Sequence, residues 1–258
     1  YPAWDTLPFE HVSPELELTA RRILSVYECQ RRETWVLIVP VDALMQKVVP
    51  YSTLLLYSFS VARGQKVNRD VLLQHLDLCG FQQRARVETL GSFAVRGEVI
   101  DYFPSTQTQP LRLEFFDDEI EHIKLFDPTS QRSILEIEHT HFLPLSEKIT
   151  LNSSPELPGK VIEHVLKRAR ELHVPTHQTH DLIRQINDGV NFPGLESFQS
   201  LLVDSLLSAD TWIPRGATWI IDDHGACRES LDRNSELIEE RTSRFTEERT
   251  FHVQASSL

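Results

Sequence analysis

Residues 91–127 constrain the fold more than any other part of this 258-residue chain. They contain two runs in which apolar and polar residues alternate, Leu111–Phe116 and residues 120–126, and a short acidic turn separates the runs. Alternation at every second position is typical of a strand with one buried face, and a short polar break between two such strands is typical of a hairpin. We therefore expect an antiparallel sheet here, with apolar side chains facing a core and Arg112 and Glu114 facing the other way.

Further strands are predicted before and after this hairpin, together with one helix. The helix runs over residues 68–78, where Asn68 is a suitable N-cap and Gly80 ends the pattern. The additional strand patterns lie at residues 57–62, 83–88, 98–103 and 134–142. One helix among several consecutive strands predicts a compact α+β domain over residues 54–146.

The flanking regions, residues 1–53 and 147–258, have a different pattern. The nearly unbroken apolar run at 35–41 predicts a strand buried on both faces of a parallel sheet, and residues 217–221 predict a second short strand. Helices are predicted at 15–28, at a short segment from residue 42, and at 160–173, 180–187, 198–207 and 226–248, with a linker at 152–159. Helices that alternate with buried strands indicate an α/β domain into which the α+β domain is inserted.

The charge and cysteine content narrow the range of functions. The chain has 38 acidic and 26 basic residues and a formal net charge of −12, which argues against a surface built for sequence-independent DNA binding. Its three cysteines form no Cys-x-x-Cys pair, so neither a zinc ribbon nor a disulfide framework is expected, and a cytoplasmic location fits. We expect no membrane segment, because no apolar run approaches the roughly 20 residues that span a bilayer. The first residue is Tyr1 rather than Met, which favours a piece of a longer protein.

The sequence contains no phosphate-binding loop. Such a loop needs Gly-x4-Gly-Lys-Ser/Thr, whereas the one Gly-Lys pair, Gly159-Lys160, is followed by valine and lacks the upstream glycine. Residues 219–224 (Trp-Ile-Ile-Asp-Asp-His) have the form of a strand that ends in paired acids, as a Walker B motif does. Without a phosphate-binding loop, a Mg²⁺ ion at Asp222 and Asp223 would have little bound phosphate to bridge to. We therefore interpret these two residues as a degenerate Walker B-like strand end.

Two other clusters could suggest a metal. Three consecutive acids at 117–119 supply carboxylate oxygens, but without a glycine or further spaced ligands they are better interpreted as a solvated hairpin turn. His173, His177 and His180 lie close together, but Pro175 interrupts the helix that would align them and no cysteine completes a tetrahedral set. Since the sequence also lacks a nucleophile motif of the Gly-x-Ser-x-Gly type, we expect no metal, no cofactor and no catalytic residue.

Arg96, Arg112 and Glu114 are left with two interpretations. They could form cross-strand ion pairs on a solvated sheet face, each worth less than about 1 kcal/mol. They could equally form an exposed recognition patch, because the planar guanidinium binds a carboxylate with two parallel hydrogen bonds and arginine is enriched in interface hot spots. The residues alone do not separate the two.

A set of short motifs in this region resembles a known family. Val-Arg-Gly-Glu-Val-Ile-Asp at 95–101 followed by Phe-Pro, then Leu-Glu-Phe-Phe-Asp-Asp-Glu-Ile at 113–120 and Phe-Asp-Pro at 126–128, resemble the UvrA-binding domain of the excision-repair protein UvrB. The similarity is closer to the UvrB-homology module of the Mfd family, the bacterial transcription-repair coupling factors. Three flanking motifs fit that module in the same order: Trp-Asp-Thr-Leu-Pro at 4–8, Ile-Val-Pro-Val-Asp-Ala-Leu-Met-Gln at 38–46 and Pro-Gly-Leu-Glu-Ser-Phe at 193–198.

The resemblance implies both a fold and a set of contact residues. The fold would be α/β, with an incomplete RecA-like parallel-sheet domain interrupted by a compact α+β UvrA-binding domain with antiparallel strands. Arg96, Arg112 and Glu114 occupy the positions at which the family contacts UvrA. An upstream contact arginine of the family falls near Gln82 or Gln83 here, so Arg84 or Arg86 is a candidate replacement. Phe93 could add an apolar anchor beside Arg96, or belong to the core.

The function implied by the resemblance is that of a non-catalytic adaptor. It would recruit UvrA to RNA polymerase stalled at a lesion, in transcription-coupled nucleotide excision repair. The parent protein would be an ATP-dependent DNA translocase that contacts RNA polymerase and double-stranded DNA through other domains. The alternative is a nucleotide-dependent, DNA-binding helicase module like UvrB itself. Against that alternative, residues 7–13 leave no room for the long hairpin with which UvrB clamps DNA.

Overall fold

The computed structural model describes residues 1–6, 12–147, 157–188 and 206–252, which fall into two compact units. The central unit comprises Thr19–Glu28 and Tyr51–Glu147. The flanking unit comprises the described residues of Tyr1–Leu18, Cys29–Pro50 and Lys148–Leu258. The central unit thus includes the whole segment 54–146 that the sequence predicts as a domain, together with the middle of the first helix.

Consecutive strands dominate the middle of the chain, from β3 to β9, and helices lie mainly before and after them. The α-helices are α1 (Leu16–Arg31), α2 (Val41–Met45), α3 (Tyr51–Leu55), α4 (Arg69–Leu78), α5 (Leu157–Glu171), α6 (Thr176–Asn187) and α7 (His224–Glu247), with a 3₁₀ helix at Ala209–Trp212. The strands are β1 (Lys47–Val48), β2 (Phe59–Ala62), β3 (Gln82–Gln83), β4 (Ser92–Arg96), β5 (Val99–Tyr102), β6 (Leu111–Phe116), β7 (Glu119–Phe126), β8 (Ser133–Glu136), β9 (His139–Phe142) and β10 (Leu207–Ser208).

The central unit is built on a six-stranded sheet with the order β3-β4-β5-β6-β7-β8. Neighbouring strands are antiparallel except β3 and β4, which are parallel. The hairpin of β6 and β7 turns at Asp117, whose φ of 59° is one that Asp and Asn adopt more readily than most residues. The predicted α/β class is confirmed, as are the antiparallel strands predicted at 98–103, 111–116 and 120–126. The strand predicted at 83–88 is reduced to the two-residue β3, which pairs in parallel, and the one predicted at 134–142 is divided into β8 and β9, which lie in different sheets.

Strand alternation gives this sheet one apolar face. The cross-strand partners Ile100 and Leu113 lie there and are fully buried, as the sequence pattern predicts. From the same face, Tyr102 stacks on Phe142 of β9 with ring centroids 4.4 Å apart, and Phe142 stacks on Phe59 of β2 at 4.3 Å. The separate antiparallel ribbon of β2 and β9 is therefore packed on the sheet through aromatic rings.

Helix α4 begins at a side-chain cap, because Asn68 Oδ1 accepts a hydrogen bond of 3.1 Å from the backbone N–H of Val71. Its buried face carries Leu72 and Leu76. At its end, the ring of His75 meets the ring of Phe59 edge-on at 4.4 Å. The predicted helix at 68–78 is confirmed, and its ring contact joins it to the same aromatic stack.

The middle of α1 is fastened to the segment after β9 by buried polar contacts. Thr19 Oγ1 donates to the carbonyl oxygen of Leu145 at 2.7 Å. The guanidinium of Arg22, which is fully buried, forms an ion pair with Glu147, and its Nη2 lies 3.3 Å from Glu147 Oε2. Because both charged groups are removed from water, the guanidinium and the carboxylate each offset part of the other's desolvation cost.

The flanking unit contains α2, α5, α6, α7, the 3₁₀ helix and one two-stranded ribbon of β1 and β10, whereas α3 belongs to the central unit. Helices α5 and α6 pack through Val161, Val165 and Ile186, and Phe251 completes this buried cluster. Trp212 of the 3₁₀ helix is buried, and its Nε1 donates to the backbone carbonyl of Val49 at 2.7 Å.

Helix α7 is attached to α2 by a carboxylate. Asp42 Oδ1 accepts hydrogen bonds from Ser230 Oγ at 2.5 Å and from Asn234 Nδ2 at 2.8 Å. No residue of α7 is buried, although it is the longest helix in the described part of the chain. Within those described residues, no helix combines the length and apolar character needed to cross a bilayer.

The strands predicted at residues 35–41 and 217–221 are wrong. Residues 35–40 have no regular structure, and Val36 and Ile38 are 90% and 82% exposed; Ile220 is 88% exposed. An apolar run becomes a strand only if neighbouring strands accept and donate its backbone hydrogen bonds, and none of the described strands pairs with either segment. The described residues therefore contain no RecA-like parallel sheet, and the predicted helix at 198–207 and linker at 152–159 lie largely outside them.

Candidate protein-interaction surface

The face of the six-stranded sheet opposite the core carries the predicted charged residues. In the strand register, Arg112 of β6 lies beside Asp101 of β5, and Glu114 lies beside Val99, which in turn lies beside Arg96 of β4. Cross-strand neighbours share a face, so the structure brings Arg96, Arg112 and Glu114 together as alternation predicts. We call this surface, formed by Arg96, Asp101, Arg112, Glu114 and Lys124, the polar face.

Asp101 lies at the centre of the polar face and is fully buried. One carboxylate oxygen accepts from Nε of Arg112 at 2.7 Å, and the other accepts from Nη2 of Arg112 at 3.0 Å. The second oxygen also accepts from Nη2 of Arg96. Sequence reasoning did not single out this residue, although an acid inside the otherwise apolar strand Val99–Tyr102 is a usable signal, since a buried charge must be paired.

Arg112 is held on several sides. Besides its two bonds to Asp101, its Nη1 lies 3.4 Å from the carbonyl oxygen of Gln131, and its guanidinium carbon lies 4.8 Å from the centre of the Phe126 ring. The hydrogen bond to Asp101 raises the pKa of Arg112, so the group stays charged. Only 18% of its side chain is exposed.

Arg96 is more accessible, with 51% of its side chain exposed and a single nitrogen bonded to Asp101. It precedes the turn between β4 and β5, where Gly97 has a φ of +56°. Arg69 of α4 supports this turn: its Nη1 bonds Glu98 Oε2 at 2.8 Å and its Nη2 bonds the carbonyl oxygen of Gly97. The backbone that carries Arg96 is thereby anchored to α4.

Glu114 is paired across the sheet. Its Oε2 lies 2.6 Å from Nζ of Lys124 on β7. One strand further, Nδ1 of His122 lies 2.7 Å from Oε1 of Glu136 on β8, and this hydrogen bond lowers the pKa of Glu136. The charged residues on this side of the sheet are therefore largely paired with one another, as the ion-pair interpretation expects, and a recognition role requires that some of their polar atoms still reach solvent.

Of the additional candidates Phe93 and Arg84, one lies on the polar side and one does not. Phe93 is 5% exposed, and its cross-strand partner is Tyr102, so it belongs to the core face and cannot act as an anchor beside Arg96. Arg84 is exposed just after β3, where its backbone N–H donates to the carbonyl oxygen of Phe93 at 2.8 Å. Its guanidinium bonds Oε1 of Gln82, which pairs with Ser92 and hence shares the side of Arg96.

Sequence reasoning also missed an exposed aromatic residue. Phe116 ends β6 and is 74% exposed, and it lies two residues beyond Glu114, so alternation places it on the polar side. Asp117 and Asp118 form the hairpin turn as predicted, whereas Glu119, also predicted there, begins β7. Asp118 pairs with Lys66 at 3.1 Å. An exposed phenylalanine next to charged side chains is typical of a protein-binding surface.

The residues of the Walker B-like segment have a different role from the one that their pattern suggests. Asp223 is the N-cap of α7 and accepts from the backbone N–H of Ala226 at 3.0 Å, while Asp222 is exposed and follows no strand. Gly159 and Lys160 lie in the first turn of α5. In the described ranges, no group of three or more His, Cys, Asp or Glu residues could hold a metal ion.

Comparisons with known proteins find related sequences over most of the chain. Residues 59–147 match the family model described as the UvrB interaction domain. The chain is 34% identical over 198 residues, 77% of its length, to the transcription-repair-coupling factor of Escherichia coli. It is 28% identical to those of Haemophilus influenzae and Myxococcus xanthus, over 85% and 86% of its length. The alignments cover only 17 to 19% of these three relatives. The central segment of the chain is therefore similar to the UvrB interaction domain, and most of the chain is similar to a segment of the transcription-repair coupling factors.

Proposed function

We propose that this chain is a non-catalytic adaptor module that binds UvrA through the polar face of its central unit. The observation that carries the proposal is that Arg96, Arg112 and Glu114 share one face of a sheet lying within the segment that matches the UvrB interaction domain. The protein that contains this module would use it to recruit UvrA to RNA polymerase stalled at a lesion. Its relatives' name, transcription-repair-coupling factor, supports that larger role.

The geometry of Arg96 is suited to binding a partner. Its single bond to Asp101 uses one nitrogen, so Nε and Nη1 remain for a carboxylate or carbonyl oxygen of UvrA. Phe116 offers apolar area on the same side of the sheet, and aromatic and arginine side chains are those most enriched among interface hot spots. The proposed contact surface consists of Arg96 and Phe116 as accessible groups, with Arg112, Glu114 and Arg84 around them.

Catalysis, DNA binding and contact with RNA polymerase are assigned to other parts of the longer protein, in the cytoplasm. The acidic net charge of −12 supports a protein partner over a nucleic acid, because phosphate binding needs clustered cations. The structure offers little support for a nucleotide-dependent helicase module, since Asp223 caps a helix and Gly159-Lys160 belong to one. We accordingly assign no cofactor to this chain.

Binding to Escherichia coli UvrA tests the proposal directly by isothermal titration calorimetry. The wild-type chain should bind, and Arg96→Ala combined with Arg112→Ala should weaken binding by at least about 2 kcal/mol, the usual threshold for a hot spot. Arg184→Ala is the matched control, because it removes an arginine whose exposed ion pair with Asp181 lies in the flanking unit. It should leave the affinity unchanged.

Two results would contradict the proposal: no binding by the wild-type chain, or equal binding by the wild type and the double variant. Hydrogen exchange of residues 99–116 shows whether the double variant keeps its sheet, since Arg112→Ala removes a partner of the buried Asp101. Thermal shift with ATP and Mg²⁺, and with single-stranded DNA, tests the helicase alternative. A ligand that binds only the folded state raises the melting temperature, so a clear increase would favour that alternative.

A further inference from the structure

Asp101 has a position that a charged side chain rarely occupies. It is fully buried, and charged residues are almost never so unless they are paired. Its two oxygens receive three hydrogen bonds from two guanidinium groups, those of Arg96 and Arg112. One carboxylate therefore holds two cations side by side across strands β4, β5 and β6.

Two neighbouring guanidinium groups would otherwise repel each other. A carboxylate between them offsets that repulsion and fixes the distance between the two side chains. It also removes part of the rotamer freedom that Arg96 would lose on binding a partner, since long side chains pay an entropic cost when an interface immobilises them. Asp101 can affect binding in this way although no atom of it reaches the surface.

We propose that Asp101 is a positioning residue for UvrA binding, which orients Arg96 and Arg112 at the spacing that the partner recognises. The inference rests on the proposed function, because it concerns the same surface. Arg112 is the fixed member, held by Asp101, by the ring of Phe126 and by the carbonyl of Gln131. Arg96 is the accessible member, attached to the same carboxylate at one nitrogen.

A first test uses the free protein and does not depend on UvrA. In ¹⁵N-labelled wild-type chain, the Nε–H of Arg112 should exchange slowly with water, because it is hydrogen-bonded to a buried carboxylate. In Asp101→Asn the side chain keeps its size but loses its charge, and its amide group places a donor against the guanidinium. The Nε–H exchange should then be faster by about tenfold or more, the factor that corresponds to 1.4 kcal/mol.

A second test measures UvrA affinity in a double-mutant cycle of Asp101→Asn and Arg96→Ala. Each single variant should bind UvrA about tenfold or more weakly than the wild type. If Asp101 acts through Arg96, the fold-loss of affinity in the double variant should be clearly smaller than the product of the fold-losses in the two single variants. The reason is that the second substitution then affects an interaction that the first has already removed. Asp101→Glu restores the negative charge and should recover part of the affinity that Asp101→Asn loses.

The outcomes separate this inference from the proposed function. If Arg96→Ala weakens binding and Asp101→Asn does not, only the positioning role is wrong. It is also wrong if the two losses multiply fully, because Asp101 would then act through the fold as a whole. If the wild type does not bind UvrA, or Arg96→Ala has no effect, the proposed function itself fails. If circular dichroism shows that Asp101→Asn does not fold, the same cycle is run with Asp101→Glu. This variant is expected to weaken binding, and its fold-loss and that of Arg96→Ala should again combine to less than their product.

Discussion

The buried ion pair between Arg22 and Glu147 provides the most demanding test of how the central unit is held together. Arg22 is fully buried and Glu147 is 3% exposed, so neither charge is stabilised by water. Removing one member takes the opposite charge of the ion pair away from the other, and breaking a buried pair in this way destabilises proteins by about 3–5 kcal/mol. We expect Arg22→Met to cost that much, which is a large share of the roughly 5–15 kcal/mol by which domains are stable.

The double variant Arg22→Met with Glu147→Leu should behave differently. Replacing both members of a buried pair with apolar residues of similar volume is often neutral or stabilising, because the cost of desolvating the two charges disappears with them. We expect it to lie within about 1 kcal/mol of the wild type. Lys66→Ala is the exposed counterpart within the central unit: it breaks a pair with Asp118 in which both side chains are mostly exposed, and it should cost far less than Arg22→Met.

The assay has to report on the central unit alone. All four tryptophans, at positions 4, 35, 212 and 219, belong to the flanking unit, so tryptophan fluorescence does not monitor it directly. Native-state hydrogen exchange of peptides from Val99–Tyr102 and Leu111–Phe116 measures its opening free energy instead. The reasoning is refuted if Arg22→Met costs no more than Lys66→Ala, or if the double variant loses as much stability as the single variants Arg22→Met and Glu147→Leu lose together.

Three further predictions follow from local geometry. Gly97→Ala should lower the opening free energy of the central unit, measured by hydrogen exchange, by about 1–2 kcal/mol, because φ is +56° at this position. Gly159→Ala in helix α5 should instead raise the stability of the flanking unit by up to about 1 kcal/mol, measured by urea unfolding followed by tryptophan fluorescence. The pKa of Glu136 is lowered by its hydrogen bond to His122, so the stability it contributes is present above the ordinary Glu pKa and lost as the pH falls through the lowered value; NMR titration of His122→Ala should show the pKa of Glu136 move back up. Burial raises the pKa of the Cys79 thiol to about 12, so Ellman's reagent should label it in the native protein no faster than the central unit opens.

The sequence predicted the central sheet well because the relevant signal is local. Alternation in Leu111–Phe116 identified both the core face and the charged face, and the acidic turn identified the hairpin. Strand β4 was missed, although it carries Arg96. Its residues Ser92 and Ala94 are small and buried on the side where polar residues were expected, so the alternation is weak there. The burial of Ala94 comes from a cluster with Val87 and Phe126, which are distant in the sequence.

The flanking unit was predicted less well for a related reason. Its helices were recognised from their own periodicity, but the strands at 35–41 and 217–221 depend on neighbours that the local sequence does not specify. An apolar composition shows that a segment is suited to a sheet interior, and it does not show that partner strands are available. Val36 and Ile220 are accordingly exposed rather than buried in the part of the chain that the structure describes.

The two interpretations of the charged residues are compatible once the hydrogen bonds are known. Arg112, Glu114 and Lys124 form ion pairs within the sheet, and Asp101 holds Arg112 and Arg96 together. Internal pairing of this kind leaves little uncompensated charge, so long-range attraction would contribute little to binding by this face. Its specificity would come from the fixed spacing of hydrogen-bond donors around Arg96, which a partner with complementary oxygen atoms can match and other acidic surfaces cannot. The buried carboxylate of Asp101 would then determine which groups of a partner the accessible Arg96 binds.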